Sequence, residues 1–112
     1  MKKIENIKDK VIKKIFSMRR ELVEQLNNID FQTIEYRVYL YKRIQSLNVF
    51  QELFVISYNK KCNQSKKELY ITFKQETKDF LDSCRIQQLI EKSSWVIHLE
   101  TYNIIKNIIS QV

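Results

Sequence analysis

The chain has 112 residues, 44% of them apolar, and contains no Gly, no Pro and no Ala. Without Gly and Pro, tight hairpin turns and glycine-dependent phosphate loops or nucleophile elbows are excluded, which leaves helices as the expected structure. Lys+Arg 20 against Asp+Glu 13 gives a net charge of +7, a balance that points to nucleic acid, an anionic membrane surface or an acidic protein as partner.

From Ile4, apolar residues recur at Ile7, Val11, Ile15, Met18, Leu22, Leu26 and Ile29. These spacings of three and four predict a first helix over about 2–28, with a nearly straight apolar stripe. Its opposite face carries Lys3, Lys10, Lys13, Lys14, Arg20, Glu21 and Glu24. Asn27-Asn28-Ile29-Asp30 ends it: Asn tolerates the left-handed conformation found at helix ends, and Asp30 is a good cap for a second helix over 31–58. The first half of that helix is amphipathic through Phe31, Ile34, Val38 and Tyr41. From Leu47 onward, Val49, Phe50, Leu53, Phe54, Val55 and Ile56 point all around it, so the helix is either central in its bundle or shared with a second subunit. The run 52–58 also has the composition of a strand, but no partner strand with turn signals lies nearby.

Asn59 to Gln64 reads as a polar loop, and Ser65 with Glu68 forms a capping-box pattern that opens a third helix over about 65–83. It is expected to bury Leu69, Phe73, Phe80, Leu81 and Cys84. Beyond it the stripe shifts by half a turn to Ile86, Leu89, Ile90 and Ile97, which requires a break at Asp82-Ser83 or at Ser93-Ser94. A fourth helix over about 86–111 buries Ile97, Ile104, Ile105 and Ile108. Trp95, Leu99 and Tyr102 lie on another side of it. The fold class is therefore all-α, a single-domain antiparallel bundle of four helices.

Catalytic chemistry finds little to work with. His98 is the only histidine, and it stands far in sequence from Cys62 and Cys84, with no Cys-x-x-Cys or His-x-x-x-His pair to hold zinc. Trp95 occupies the position three before His98, so the Glu-x-x-His element of di-iron bundles is absent. A Cys84–His98 nucleophile pair is the one formal option; a buried thiol and a packed imidazole are the plainer reading. No enzyme, metal or cofactor is expected. Charges between Lys8 and Lys14 interrupt any signal-like apolar core, and no apolar run approaches the length of a membrane span, so a cytoplasmic protein is expected. Insertion of helix 1 into an anionic membrane surface is the least favoured option, because the bundle needs the same stripe.

Binding is the expected activity. Tyr36, Tyr39 and Arg43 share one side of helix 2, interleaving aromatic rings with a cation as stacking on unpaired bases requires. Lys10, Lys13, Lys14 and Arg20 on helix 1, and Lys60 and Lys61 in the loop, add phosphate contacts of a sequence-independent kind. The leading expectation is thus a nucleic-acid or ribonucleoprotein accessory protein. The alternative is a protein-binding inhibitor, adaptor or immunity-type module. It rests on an apolar surplus at Phe50, Leu53, Phe54, Trp95, Leu99 and Tyr102 that also predicts a homo-oligomer. Sixteen Ile, 15 Lys and 8 Asn beside 5 Arg match the missing Gly, Ala and Pro as signs of an AT-rich genome, such as that of a phage or plasmid. Part of the positive charge then follows from codon usage.

Overall fold

The computed structural model describes residues 4–28, 33–60, 65–86 and 92–112, the side chains of residues 4–6, 86, 92 and 93 excepted. Four helices account for them: α1 (Ile4–Asn27), α2 (Ile34–Lys60), α3 (Lys66–Ile86) and α4 (Lys92–Gln111), with no strand among the described residues. The protein is an all-α four-helix bundle. None of these helices is long and apolar enough to cross a membrane.

Local chemistry sets the helix ends. Asn28 donates its N–H to both Glu24 O and Gln25 O at 3.2 Å, tightening the last turn of α1. At the start of α2, Thr33 Oγ1 accepts the N–H of Tyr36 at 3.1 Å, so the cap stands three residues later than the sequence places it; Asp30 and Phe31 lie outside the described residues. Ser65 Oγ accepts the N–H of Glu68, as the capping pattern predicts. Neither expected break between the last two helices is used. Cys84 continues the buried stripe of Phe73, Thr77 and Leu81, and α3 runs on to Ile86, leaving Asp82-Ser83 inside α3 and Ser93-Ser94 inside the first turn of α4. Leu89 and Ile90 lie outside the described residues.

Cross-contacts give the topology. Lys8 at the start of α1 stands over Tyr58 at the end of α2, and Tyr36 at the start of α2 bonds to Gln25 at the end of α1. The rungs Phe54–Phe73 and Phe50–Phe80 run α3 antiparallel to α2, and Phe73–Tyr102 and Phe80–His98 run α4 antiparallel to α3. The course is up-down-up-down. α2 packs against α1, α3 and α4, and α4 likewise against the other three, so these two form the short diagonal of the bundle.

The core confirms the stripe of α1 through buried Ile7, Val11, Ile15 and Leu22, and those of α3 and α4 through Leu69, Phe73, Ile97, Ile105 and Ile108, with Ile109 added. Phe50 sits at its centre, its ring 6.4 Å from Phe73, 6.3 Å from Phe80 and 5.6 Å from His98. Three expected interface residues, Phe50, Leu53 and Phe54, are therefore corrected. Phe50 and Phe54 are fully buried and Leu53 nearly so; Tyr102 is half-buried and stacks on Phe73 at 5.5 Å. Three neighbouring helices cover most of the lower half of α2, leaving Ile56 43% exposed on its outer side. The upper half is also corrected, in the opposite sense. Ile34, Val38 and Tyr41, the expected buried side, are 79%, 47% and 54% exposed, and Leu40 is the residue that enters the core.

A chain without Gly or Ala must use other small residues where helices approach closely. Ser46, Ser57 and Thr101 do so here, all buried, with Ser57 Oγ donating to Leu53 O at 2.7 Å and Thr101 Oγ1 to Ile97 O at 2.9 Å. Thr77 Oγ1 is the one buried side-chain oxygen without a hydrogen-bond partner among the described residues. Replacing Thr77 by Val keeps its shape and removes that cost, so urea unfolding is expected to show a gain of about 1–2 kcal/mol. Phe50→Ala should lose about 3–5 kcal/mol in the same measurement, while Ile71→Ala, at a 51% exposed position on α3, stays within about 0.5 kcal/mol of the parent.

Candidate functional site

The first turns of α2 extend the side of that helix that lower down holds the core. Eighteen residues make five whole turns, so Tyr36 lies on one line with buried Phe54, and Arg43 stands two turns above Phe50. At this height the described parts of α3 and α4 leave Tyr36 and Tyr39 43% and 38% exposed. The two rings stack at 6.2 Å and 27°, and the Arg43 guanidinium covers the Tyr39 ring at 5.7 Å. Tyr36 OH donates to Gln25 Oε1 at 3.3 Å, fixing the end of the ladder to α1. The structure thus brings these three expected residues into one surface group.

The remaining expected cations do not join it. Lys10, Lys13 and Lys14 are exposed on the first half of α1, and the twelve residues from Lys13 to Gln25 put about 18 Å between them and the ladder. Arg20 pairs with Glu24 at 3.3 Å, and Lys60 pairs with Glu76. Lys61 lies outside the described residues. Several cations brace helix ends: Lys66 donates to Ser110 O at the end of α4, and Lys106 stands over the Tyr70 ring. Of the other expected interface residues, Trp95 is half-buried and Leu99 is 42% exposed.

A polar group that the sequence did not announce lies in the core. Thr101 Oγ1 donates to Ile97 O and so accepts from Ser46 Oγ at 2.8 Å; Ser46 has then used its only proton, and its 2.8 Å contact with His98 Nδ1 requires the imidazole to donate. The network assigns His98 the Nδ1–H tautomer. Ser46 and Thr101 stand 52 and 55 positions from their partners, a pairing that no local pattern signals. The Cys84 thiol is free and buried, and burial pushes its pKa up, which keeps it protonated. Ser46 beside His98 resembles a nucleophile and its base, yet Ser46 is fully buried. No group of three or more His, Cys, Asp or Glu residues fit for a metal occurs among the described residues.

A second surface is apolar. Leu26 of α1 and Ile34, Arg37, Val38 and Tyr41 of α2 line an open groove of about 350 Å³. Lower on the same side, Arg19 reaches from α1 to Asn48 and Gln51 of α2 at 2.9 and 2.6 Å, and its guanidinium covers the 57% exposed Phe16.

Fold and surface together define a small, lysine-rich, all-α four-helix bundle with an aromatic–cation ladder at one end and an apolar outer face on its first two helices. No protein-family model matches the chain, and neither a curated protein nor a solved structure shows significant similarity to it.

Burial holds the His98 pKa below the ordinary imidazole value. The unfolded chain takes up a proton as the pH falls through about 6.5, whereas the folded ring resists until a lower pH. Stability contributed by neutral His98 is complete above that value and is lost as the pH falls toward the depressed folded value. Unfolding of the parent and of His98→Gln should therefore differ more at about pH 7.5 than at about pH 5.5.

Proposed function

We propose that the protein acts by binding and not by catalysis, and that the free end of α2 engages unpaired nucleic acid. The observation that carries this reading is the exposed Tyr36–Tyr39–Arg43 ladder, two stacked rings under a guanidinium. Every base offers a π-face, so stacking on such rings is indifferent to sequence. Lysines at Lys13 and Lys14 supply point charges that hold phosphates without reading base edges. The role is that of a nucleic-acid or ribonucleoprotein accessory protein, at work in the cytoplasm of a cell with an AT-rich genome or encoded by its phage or plasmid. The absence of catalysis is supported by the burial of both candidate nucleophiles, Ser46 and Cys84.

A second reading, a protein-binding inhibitor, adaptor or immunity-type module, is favoured by the apolar outer face of α1 and α2, where Phe16, Ile34 and Tyr41 are each more than half exposed.

Anisotropy titrations with a labelled single-stranded oligonucleotide separate the two. Binding is expected at about 50 mM salt and should weaken steeply toward about 200 mM. Loss of one stacking ring in Tyr39→Ala should weaken it by about 5- to 150-fold, and the Lys13→Glu, Lys14→Glu pair should flatten the salt dependence by about two charges. No binding at the lower salt ends the nucleic-acid reading.

A further inference from the structure

On α2 a set of side chains unrelated to the ladder repeats along one outward line. Ile34, Val38 and Tyr41 follow at four and three residues, and eighteen residues further on Glu52 and Ile56 return to the lines of Ile34 and Val38. Beside this line, Phe16 and Val23 of α1 flank Arg19, whose bonds to Asn48 and Gln51 tie the two helices into one surface. The six apolar side chains are between 38% and 79% exposed. Together they leave on the order of 600 Å² of apolar surface, at the upper limit for one patch on a monomer and close to the ~800 Å² that each partner gives to a standard interface.

We infer that this face is closed by a second copy of the chain, with the two α2 helices antiparallel about a two-fold axis beside Gln45. Of the two pairings of α2 with its copy, this one matches the surface to itself. Gln45 is equidistant in sequence from Ile34 and Ile56 and from Val38 and Glu52. A two-fold axis there brings the Leu26–Tyr41 groove of each copy opposite the smaller hollow formed by Gln51, Glu52, Val55 and Ile56 of the other, so that exposed Ile34 at the edge of one faces Ile56 at the edge of the other. The charges pair in this arrangement: Arg37 lines the first hollow and Glu52 the second, so each Arg37 meets the other copy's Glu52, twice per dimer. Neither side chain has a hydrogen bond or ion pair among the described residues. A parallel pairing would instead oppose like charges. The ladder faces away from this surface, so the dimer presents one ladder toward each end and does not depend on the nucleic-acid reading.

Sedimentation velocity of the full chain at increasing concentration tests the arrangement. A dimer is expected at roughly tens of micromolar, and Val38→Glu should convert it to monomer with an unchanged helical circular-dichroism spectrum. Arg37→Glu alone opposes two carboxylates at both ends and should weaken association about tenfold or more, as should Glu52→Arg; the double variant, with the charges exchanged, should recover most of the loss. A parent chain that stays monomeric at about 100 μM would overturn the second copy as occupant and leave the face to a different protein. Dimerisation indifferent to Val38→Glu, or a double variant no better than the singles, would overturn the antiparallel α2 pairing. Because Tyr39 lies outside the interface, Tyr39→Ala should change oligonucleotide binding and leave the dimer intact, so the two proposals fail separately.

Discussion

The burial of Phe50 and Phe54 is the contact on which the other helices depend. Two fully buried aromatic side chains on one short stretch of helix demand cover from more directions than one neighbour can give, at about 1.5–3 kcal/mol gained for each ring removed from water. α3 answers with Phe73 and Phe80, α4 with His98, and Tyr102 closes the cluster by stacking on Phe73. α1 covers the remaining side with a stripe of Ile, Val and Leu. The consequence is a bundle with α2 and α4 on its short diagonal and α1 and α3 held apart.

That arrangement also explains where α2 is left bare. Its 27 residues exceed the 21 and 20 of α3 and α4, and its upper turns are accompanied closely by α1. A radius of gyration of 15.1 Å against about 13 Å for a compact globule of this length records the resulting elongation. Two surfaces follow from one cause. The side of α2 that continues the core carries the tyrosine ladder, and the outward side carries Ile34, Val38 and Tyr41. Both bear aromatic or apolar side chains that the other helices leave between 38% and 79% exposed.

The want of small residues shapes the interior as well. Where Ala or Gly would let helices approach, Ser46, Ser57 and Thr101 stand, and each must satisfy a hydroxyl in a dry environment. Two return the proton to their own helix; the third, Ser46, gives its proton to Thr101 and accepts that of His98, joining α2 to α4. The single histidine is thereby a half-buried residue at the edge of the core with a defined tautomer, and its pH response follows from packing. Lysine is put to local structural use, Lys66 bonding to Ser110 O and Lys106 standing over Tyr70, which disperses the positive charge over the molecule.

Helix number, the period of each buried stripe and the serine cap of α3 were written locally, in spacings of three and four and in capping side chains. So was the three-residue kinship of Tyr36, Tyr39 and Arg43, because residues on one helix face need no tertiary information to meet. The burial of Phe50, Leu53 and Phe54 was not legible in this way. An apolar residue on a helix reads the same whether its cover comes from α3 and α4 or from a second subunit, and only the packed bundle distinguishes them. For the same reason the apolar line of Ile34, Val38 and Tyr41 looked like a core face and turned out to be an outer one: periodicity fixes which side chains share a side, while the neighbouring helices fix which side is inside. The His98–Ser46–Thr101 network, joining residues more than fifty positions apart, exists only because α2 and α4 lie side by side.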